Sequence, residues 1–289
     1  MTPEPRPPVL DLLVVGGLTV DRFADGSAAP GGSVLHASLA AHDRGARVGA
    51  VTAAGPEPEA EDGLRELRRL AWLEVSRLPA SIQFAHDERG GRRRLVLAEA
   101  VTPLHDSPVI TSTAVLFAPV AGEIGTDLLV RRPPEATAAA ILQGWLRRLV
   151  AGEPVRPLPP GEMDAGVLGA LGSFDLLVAS REDLGAVDGD APAQLATIRS
   201  TVGAGPTLIL TDGAAGAWVD LGGERGPERA WHEWPPHVVE GVSSVGAGDM
   251  LAALLLVEPW PRPVDAGWVK RQMAAAMLGV ADRLAARRG

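Results

Sequence analysis

The sequence predicts a doubly wound α/β fold, in which helices cover both faces of a mostly parallel sheet. Along the 289 residues, short Val- and Leu-rich segments bounded by Gly or Pro alternate with longer segments rich in Ala, Leu and Arg. Short segments that are apolar on both faces are typical of buried parallel strands, and the longer segments are typical of the helices that connect them. One stretch departs from this alternation and predicts a separate hairpin.

Five segments are short and apolar enough to be buried parallel strands, and six longer ones are predicted as connecting helices. The predicted strands are 10–15, 47–51, 114–117, 176–178 and 206–210. The predicted helices are 33–44, 59–70, 136–149 in whole or in part, 191–202, 249–256 and 265–286. The exception is 81–99, where two apolar segments flank Gly90 and Gly91. A Gly pair in this setting is a hairpin signal, so we expect a small antiparallel flap there.

Composition excludes several functional classes. A net charge of -9 argues against a nucleic-acid binder whose affinity comes from a basic face. Lys270 is the only lysine, so a Walker-type phosphate loop, which needs the sequence Gly-Lys-Ser/Thr, cannot be built. The chain has no cysteine, which excludes disulfides, thiolate zinc sites and cysteine nucleophiles.

The apolar segments are short, and the N-terminus is polar. No apolar run approaches the roughly 20 residues needed to cross a bilayer, so we expect no membrane role. The first eight residues hold a single arginine, Arg6, and no apolar region, so they do not resemble a signal peptide. Together with the lack of cysteine, this favours a cytoplasmic location.

The stretch from Gly241 to Leu256 carries the main chemical signal. A loop of small residues enters an Ala- and Leu-rich helix, so unhindered backbone N–H groups converge at a helix start. Those donors and the positive end of the helix dipole stabilise a phosphate or a developing phosphoryl charge. Asp249 would lie at the mouth of this helix, where its carboxylate can accept the proton of a substrate hydroxyl. The structural alternative is that Asp249 only caps the helix.

Four short motifs are spread along the chain. They are 14–21, which ends in Asp21; 30–40, which contains a Gly-Gly pair; 209–216, with a Thr-x-Gly turn; and 246–249, which is Gly-Ala-Gly-Asp. In order and spacing they resemble the motifs of PfkB-type, ribokinase-like carbohydrate kinases. The resemblance covers essentially the whole chain. It implies one ribokinase-like domain over 1–289, with a Rossmann-like central sheet and a small antiparallel β lid formed from about 18–30 and 81–106.

The resemblance also implies an activity and a set of site residues. Members of this family transfer the γ-phosphoryl group of ATP, usually with Mg²⁺, to a hydroxyl of a small molecule, here expected to be a sugar or polyol. The resemblance makes Asp249 the general base and the backbone of Gly246, Ala247 and Gly248 an anion hole. The implied acceptor contacts are Asp21, Gly31, Gly32, His36 and Arg147. The implied donor-site residues are Ser180, Asp183, Thr211, Gly213 and Gly216, with Asp183 also a candidate Mg²⁺ ligand.

Each of these residues has a purely structural alternative. Asp21, Gly31, Gly32, Thr211 and Gly213 could belong to ordinary turns or caps. A histidine on an early helix turn such as His36 is commonly a cap or surface residue, and Arg147 could be an exposed helix residue. Ser180 and Asp183 could form a solvated helix start.

Three positions depart from the family pattern. The run 243–245 is Ser-Ser-Val, where many members have an Asp followed by two Thr. Because that Asp helps to hold a monovalent cation, its absence argues against potassium activation. Ser180 replaces an Asn of the Mg²⁺ and phosphate motif, although Asp183 keeps a carboxylate at the matching offset. Ser33 and His36 replace the Lys and Asn that face the acceptor, so we expect a substrate other than ribose.

The subtype and the alternative functions rest on weaker signals. The runs 116–124 and 142–147 resemble stretches in the branch of the family that includes plant inositol kinases. A nucleoside kinase of the same fold is an alternative, but it needs an aromatic or apolar slot for the base, and aromatic residues make up only 4% of the chain. A second alternative is an inactive ligand-binding member, which the altered positions Ser180 and Ser243 favour and the intact Asp249 opposes. Lids in this family often pair across a two-fold axis, so a homodimer through the lid is a further expectation.

The sequence also argues against a dinucleotide-dependent oxidoreductase. The first predicted strand ends in Val15-Gly16-Gly17-Leu18, which lacks the G-x-G-x-x-G spacing of a dinucleotide site. No ribose-binding acid follows the second strand at the expected place. The sequence therefore favours phosphoryl transfer over hydride transfer.

Overall fold

The computed structural model describes residues 9–89, 92–99, 101–104, 111–185, 189–223 and 229–287. The strands within these residues are β1 (Leu10–Val15), β2 (Thr19–Arg22), β3 (Ala28–Gly31), β4 (Val48–Ala54), β5 (Trp72–Arg77), β6 (Ile82–Arg89), β7 (Arg92–Leu97), β8 (Ser112–Phe117), β9 (Thr137–Ile141), β10 (Arg147–Arg148), β11 (Arg156–Pro157), β12 (Leu176–Ser180), β13 (Thr207–Thr211), β14 (Ala217–Asp220) and β15 (Ala230–Glu233). The helices there are α1 (Ser33–Asp43), α2 (Pro58–Leu67), α3 (Thr126–Leu129), α4 (Ala165–Leu171), α5 (Ala191–Val202), α6 (Ala247–Leu254) and α7 (Ala266–Ala286), with short 3-10 segments at Pro160–Glu162, Arg181–Leu184 and Gly213–Ala215. Among these described helices, none combines the length and apolarity that a membrane crossing requires.

A nine-stranded sheet forms the centre of the described structure. Its strand order is β15-β14-β13-β12-β9-β8-β1-β4-β5. The neighbours from β13 to β5 pair in parallel, whereas β14 and β15 join antiparallel at one edge. β4 is buried over its whole length, as expected for a strand covered by helices on both faces. The predicted doubly wound α/β fold is confirmed, and each predicted strand lies within three residues of its predicted ends.

The predicted helix over 136–149 is wrong. The chain forms β9 there, parallel to both β8 and β12, followed by a turn and the short strand β10. The run contains successive alanines, and alanine has the highest intrinsic helix propensity, which explains the prediction. All five residues of β9 are buried between neighbouring strands. Tertiary packing therefore overrides the local preference of this segment.

The other predicted helices are present. α1, α5 and α7 match their predicted ends within one residue, whereas α2 ends three residues early and α6 begins and ends two residues early. α2 begins with Pro58, whose fixed φ and missing N–H suit the first helical position. Asp265 caps α7, because its side chain accepts a hydrogen bond from the Trp268 N–H at 2.8 Å. Local start signals in the sequence therefore agree with the observed starts of α2 and α7.

A second sheet of four strands has the order β3-β2-β6-β7. The pairs β2–β3 and β6–β7 are antiparallel, and β2 runs parallel to β6. Its buried apolar residues pack against Val120 and Ala121, which follow β8, so this sheet covers the carboxyl end of β8. The predicted turn at 90–91 and parts of the predicted lid, residues 100 and 105–106, lie outside the described residues.

The strand order reverses between β1 and β8. From β1 the chain runs outward to β4 and β5, and it later returns to β8 on the other side of β1. In doubly wound sheets, ligands bind in the crevice beyond the carboxyl ends of the strands at such a reversal. We therefore expect a ligand site at the loops that follow β1 and β8.

A buried carboxylate ties these two loops together. Glu123 is 1% exposed, and its Oε1 accepts a hydrogen bond from the Gly17 N–H, after β1, at 2.8 Å. Its oxygens also accept from the N–H groups of Val120 at 3.1 Å and Ala121 at 2.8 Å, after β8. Burial raises the pKa of Glu123, while the backbone donors oppose that increase. The carboxylate thus fixes the spacing of the two loops.

Replacing Glu123 with Gln is expected to lower the free energy of unfolding by about 2 kcal/mol or more, because an amide NH₂ would face backbone donors and leave one unpaired. Urea unfolding followed by tryptophan fluorescence measures this change. Glu162→Gln is the matched control, since the Glu162 side chain is 54% exposed and pairs with Arg148 at the surface. We expect the control to change stability by no more than about 0.5 kcal/mol. Equal unfolding midpoints for Glu123→Gln and the unmodified protein would contradict this role of Glu123.

Candidate active site

The loop of residues 243–249, here called the glycine loop, forms the centre of the candidate site together with the first turn of α6. Gly246 is the N-cap of α6 and has a φ of 79°, a conformation that glycine adopts without strain. The Ala247 N–H donates to the Ser244 carbonyl at 3.0 Å. No side chain in the described residues caps this helix. The other N–H groups of its first turn are therefore available to an anion.

Asp249 is the third residue of α6 and is not the residue that caps the helix. Desolvation raises the pKa of Asp249 to about 6, and the nearby Asp183 carboxylate raises it as well. A hydrogen bond with Ser33 and the positive charge of Arg147 act in the opposite direction. A partly exposed carboxylate with such a pKa can accept a proton from a hydroxyl near neutral pH.

Arg147 links the loops that follow β8 and β12. Its Nη1 donates to the Val120 carbonyl at 3.1 Å, and its Nη2 lies 3.4 Å from Oδ1 of Asp183. The side chains of Arg147 and Asp183 are only 13% and 8% exposed. The guanidinium also lies over the Phe84 ring, 5.9 Å from its centroid. Arg147 is therefore an interior residue of the candidate site, and the alternative of an exposed helix arginine does not apply.

Gln143 connects Arg147 to Ser33, which is a neighbour of Asp249. Its side-chain amide lies between the Arg147 guanidinium and the Ser33 hydroxyl, which is 3.4 Å away. The orientation that satisfies both neighbours turns the amide oxygen toward Arg147. Because Ser33 also bonds Asp249, a continuous polar chain runs from Asp183 through Arg147 to Asp249. Such a chain holds the Asp249 carboxylate in one orientation.

Asp183 and Ser180 lie where β12 ends. Ser180 Oγ accepts a hydrogen bond from the Glu182 N–H at 3.3 Å and so caps the 3-10 segment that carries Asp183. Burial raises the pKa of Asp183, and the Arg147 charge opposes this. Within the described residues, no group of three or more His, Asp or Glu side chains is arranged to hold a metal. Mg²⁺ usually needs only one or two carboxylates beside phosphate oxygens and waters, so Asp183, with Asp249 nearby, fits a cation that arrives with a phosphate donor.

Asp21 lies on the second sheet beside Gly31. A Cβ at Gly31 would lie 2.5 Å from Oδ2 of Asp21, so only glycine leaves room for the carboxylate. The Thr19 hydroxyl donates to Oδ1 of Asp21 at 3.3 Å, and Nε2 of His86 lies 3.6 Å from the same oxygen. The structure thus brings the predicted acceptor residues Asp21 and Gly31 into contact and adds two polar neighbours to them.

His36 lies on α1 directly against the glycine loop. A Cβ at Gly246 would overlap the His36 ring. Burial lowers the pKa of His36 to about 4, and the positive charge of Arg287 acts in the same direction, while Asp21 opposes them. His36 is therefore neutral at physiological pH. Gly32, the N-cap of α1, has a φ of 100°, and a Cβ there would crowd the backbone that enters the second sheet.

The predicted donor residues follow β13. Thr211 ends this strand, and its hydroxyl donates to the Ala179 carbonyl at 3.3 Å. A Cβ at Gly248 would lie 4.0 Å from Thr211 Oγ1, so the start of α6 faces this turn. Gly213 and Gly216 have φ values of 55° and 98°, which allow the tight reversal after Thr211. The turn after β13 therefore lies beside the start of α6.

Two residues of the site could not be predicted from a motif. Gln143 lies in the segment predicted as helix, where its spacing to Arg147 carried no information about the polar chain. Arg287, whose charge acts on His36, follows the last helix and resembles any surface arginine in the sequence. The predicted residues fall into three groups: one around Asp249 and Arg147, one around Asp21 and Gly31, and one in the turn after β13.

Comparison with known proteins shows the fold. The sequence matches no protein-family model and no curated protein. A solved structure of a pyrophosphate-dependent kinase in the ribokinase family, complexed with a pyrophosphate analog and myo-inositol, has a TM-score of 0.71 at 19% identity over 94% of each chain. Arabidopsis thaliana ribokinase, complexed with ribose and ATP, has a TM-score of 0.66 at 13% identity, covering 94% of this chain and 92% of its own. Ribokinase from Thermotoga maritima has a TM-score of 0.61 at 14% identity, covering 94% of this chain and 91% of its own. The chain therefore has the ribokinase-like fold, which confirms at the level of the fold the resemblance carried by the four motifs.

Proposed function

We propose that this protein is a small-molecule kinase that transfers the γ-phosphoryl group of ATP to a hydroxyl of a sugar or polyol. The observation that carries the proposal is the position of Asp249. A carboxylate with a raised pKa stands in the first turn of a helix that no side chain caps, within the described residues. A base and a set of phosphate-binding N–H groups are the two parts that phosphoryl transfer to a hydroxyl requires.

The proposed reaction gives a role to the main groups of the site. The substrate hydroxyl oxygen attacks the γ-phosphorus, the bond from that phosphorus to the bridging oxygen of ADP breaks, and the hydroxyl proton passes to Asp249. The N–H groups of Gly246 and Gly248 and the dipole of α6 stabilise the charge that develops on the phosphoryl oxygens. Mg²⁺, held by Asp183 and the donor phosphates, would neutralise part of the donor charge. The Arg147 guanidinium opposes the rise in the pKa of Asp183 that burial causes. Through Gln143 and Ser33 it also orients the Asp249 carboxylate.

The acceptor would lie between the second sheet and the glycine loop. Asp21 can accept two hydroxyl hydrogen bonds, and Gly31 allows the backbone to approach a ring closely. Thr19 and His86 adjoin Asp21 and would limit which hydroxyls fit. Because a similar solved structure holds myo-inositol, we favour a cyclic polyol over ribose as the acceptor.

Pyrophosphate is a second candidate donor. Three of the similar solved structures are of pyrophosphate-dependent kinases. The glycine loop contacts only the phosphate part of a donor in the proposed reaction, so its geometry serves either donor. The donor must therefore be tested together with the acceptor.

The test is phosphoryl transfer from ATP or pyrophosphate, each with Mg²⁺, across a panel of sugars, polyols including inositols, and nucleosides. We expect turnover with one sugar or polyol that disappears in Asp249→Asn. Turnover with a nucleoside would favour the nucleoside kinase. If neither donor gives turnover with any acceptor, but ligands still raise the melting temperature, the protein would be an inactive ligand-binding member.

The pH profile gives a separate prediction. Because Asp249 works as a base only when deprotonated and its pKa is about 6, we expect kcat/KM to be constant above pH 7. Below pH 6 it should fall by roughly tenfold per unit. His36, with a pKa of about 4, does not titrate in that window. Initial rates from pH 5 to 8 at constant ionic strength measure the profile. A rate that is the same at pH 5 and pH 7 would exclude Asp249 as the base.

The second sheet bears on the oligomeric state. β3 and β7 are its outer strands. An open strand edge can pair with a second copy of the chain. We retain the homodimer through the lid as a proposal, which light scattering of the purified protein tests.

A further inference from the structure

Arg287 follows α7 and reaches back to the glycine loop. Its Nη1 donates to the carbonyl oxygens of Ser243 at 3.1 Å and Val245 at 2.9 Å. The carbonyl between them, that of Ser244, accepts from the Ala247 N–H at 3.0 Å. The three carbonyls that precede Gly246 are therefore all held by donors.

Two arginines near the end of α7, Arg283 and Arg287, contact different parts of the structure. Arg283, one turn earlier, pairs with Asp43 and donates to the Leu39 carbonyl at 3.4 Å, so it ties α7 to α1. Arg287 has the carbonyl oxygens of the glycine loop as its partners, and it sits at a helix C-terminus, where the dipole favours a cation. Burial and the Arg283 charge lower the pKa of Arg287, but a guanidinium stays ionised at any physiological pH.

The glycine loop needs such a restraint. Its small residues and Gly246, with its φ of 79°, leave many backbone conformations open in the absence of contacts. A phosphate requires the N–H groups to point together toward one side, which sends neighbouring carbonyls to the other side. A cation on the carbonyl side opposes peptide flips and adds positive charge behind the phosphate position.

We propose that Arg287 is a positioning residue that holds the glycine loop in its phosphate-binding form, as a cation supplied by the chain itself. The inference rests on the proposed phosphate role of the loop, but it does not require turnover. Because the guanidinium already occupies the space between the two carbonyls, binding of a phosphate donor should need no dissolved monovalent cation there.

The test is calorimetric titration of the full chain with inorganic pyrophosphate and with Mg-ATP. In Arg287→Met, which keeps the length of the side chain but has no donors, we expect Kd to rise roughly tenfold, equivalent to about 1.4 kcal/mol. Arg287→Lys retains one charged donor and should recover most of that loss. Arg283→Met removes the same charge from the same end of α7 without touching the loop, and its Kd should stay within about twofold of the unmodified protein.

Several outcomes would overturn the inference. Two concern the variants: an unchanged Kd in a folded Arg287→Met, or an equal rise in Kd in Arg283→Met. The other two concern the unmodified protein: no binding of either donor, or binding of a donor in potassium chloride but not in tetramethylammonium chloride. If Arg287→Met does not fold, Arg287→Gln takes its place with the same expectation of weaker binding. Where turnover is found, the effect should appear in the donor KM more than in kcat. If the titrations follow the expected pattern while no acceptor is phosphorylated, the proposed function fails and the role of Arg287 stands.

Discussion

Replacing Asp249 with Asn is expected to reduce kcat by roughly 10² or more while donor and acceptor still bind. Asparagine has the same shape and can keep the hydrogen bond with Ser33, so the glycine loop and α6 should not move. It has no basicity, and the hydroxyl proton then has no positioned acceptor. Steady-state kinetics with the acceptor found in the panel, together with calorimetric binding of both substrates, measure the two parts of this prediction.

The stability of Asp249→Asn gives a second readout of the same residue. Its pKa in the folded protein is about 6, above the ordinary value of 3.8. Folding therefore favours the protonated form, and the carboxylate lowers stability progressively as the pH rises from about 4 to 6. Asn removes that charge, so the variant should be at least as stable as the unmodified protein at pH 8, with no advantage below pH 4. A residue that served only as a helix cap would instead show nearly unchanged stability at pH 8, because Asn caps a helix about as well as Asp.

Asp265→Ala shows what the loss of a true helix cap looks like. Asp265 does cap a helix, α7, through the Trp268 N–H, and it belongs to none of the site groups described above. Its loss should cost about 1 kcal/mol of stability and leave kcat unchanged. If Asp249→Asn turned over at the normal rate, or behaved like Asp265→Ala, the assignment of the base would be wrong.

The parts of the structure that sequence predicted well depend on local signals. β1, α5 and the glycine loop each occupy a continuous stretch whose period, caps and glycines specify the conformation. The segment 136–149 failed because its alanines suit both a helix and a tightly packed strand. Only the positions of β8 and β12 on either side decide between them, and those positions follow from the whole sheet.

The contacts of the candidate site are mostly non-local. Arg147 and Asp183 are 36 residues apart, and Arg287 is 44 residues from Ser243. No periodicity in either segment indicates that these groups meet. A motif could propose Asp249 because the chemistry and the conformation lie in one loop. It could not propose Gln143, whose role exists only after β9 has brought it beside Ser33.

Replacing Gly246 with Ala is expected to lower kcat/KM by roughly 10² or more, the scale of losing one phosphate-stabilising donor. Two effects add. The φ of 79° costs a non-glycine residue about 1 kcal/mol, and the new Cβ would overlap the His36 ring. The loop must then move away from α1, which turns the N–H groups at the start of α6 away from the phosphate. Initial rates and pyrophosphate titration measure the loss.

Gly45→Ala separates the two effects. Gly45 also has a positive φ, 90°, but a Cβ there would meet nothing within 4 Å. It should lose about 1 kcal/mol of stability and no activity. Gly246→Ala should lose more stability than Gly45→Ala, and adding His36→Gly should recover part of the difference, because that change removes the ring and its Cβ from the overlap. A Gly246→Ala variant with normal turnover and the stability of Gly45→Ala would mean that the glycine loop tolerates a side chain at its turn, and the phosphate would then have to bind elsewhere.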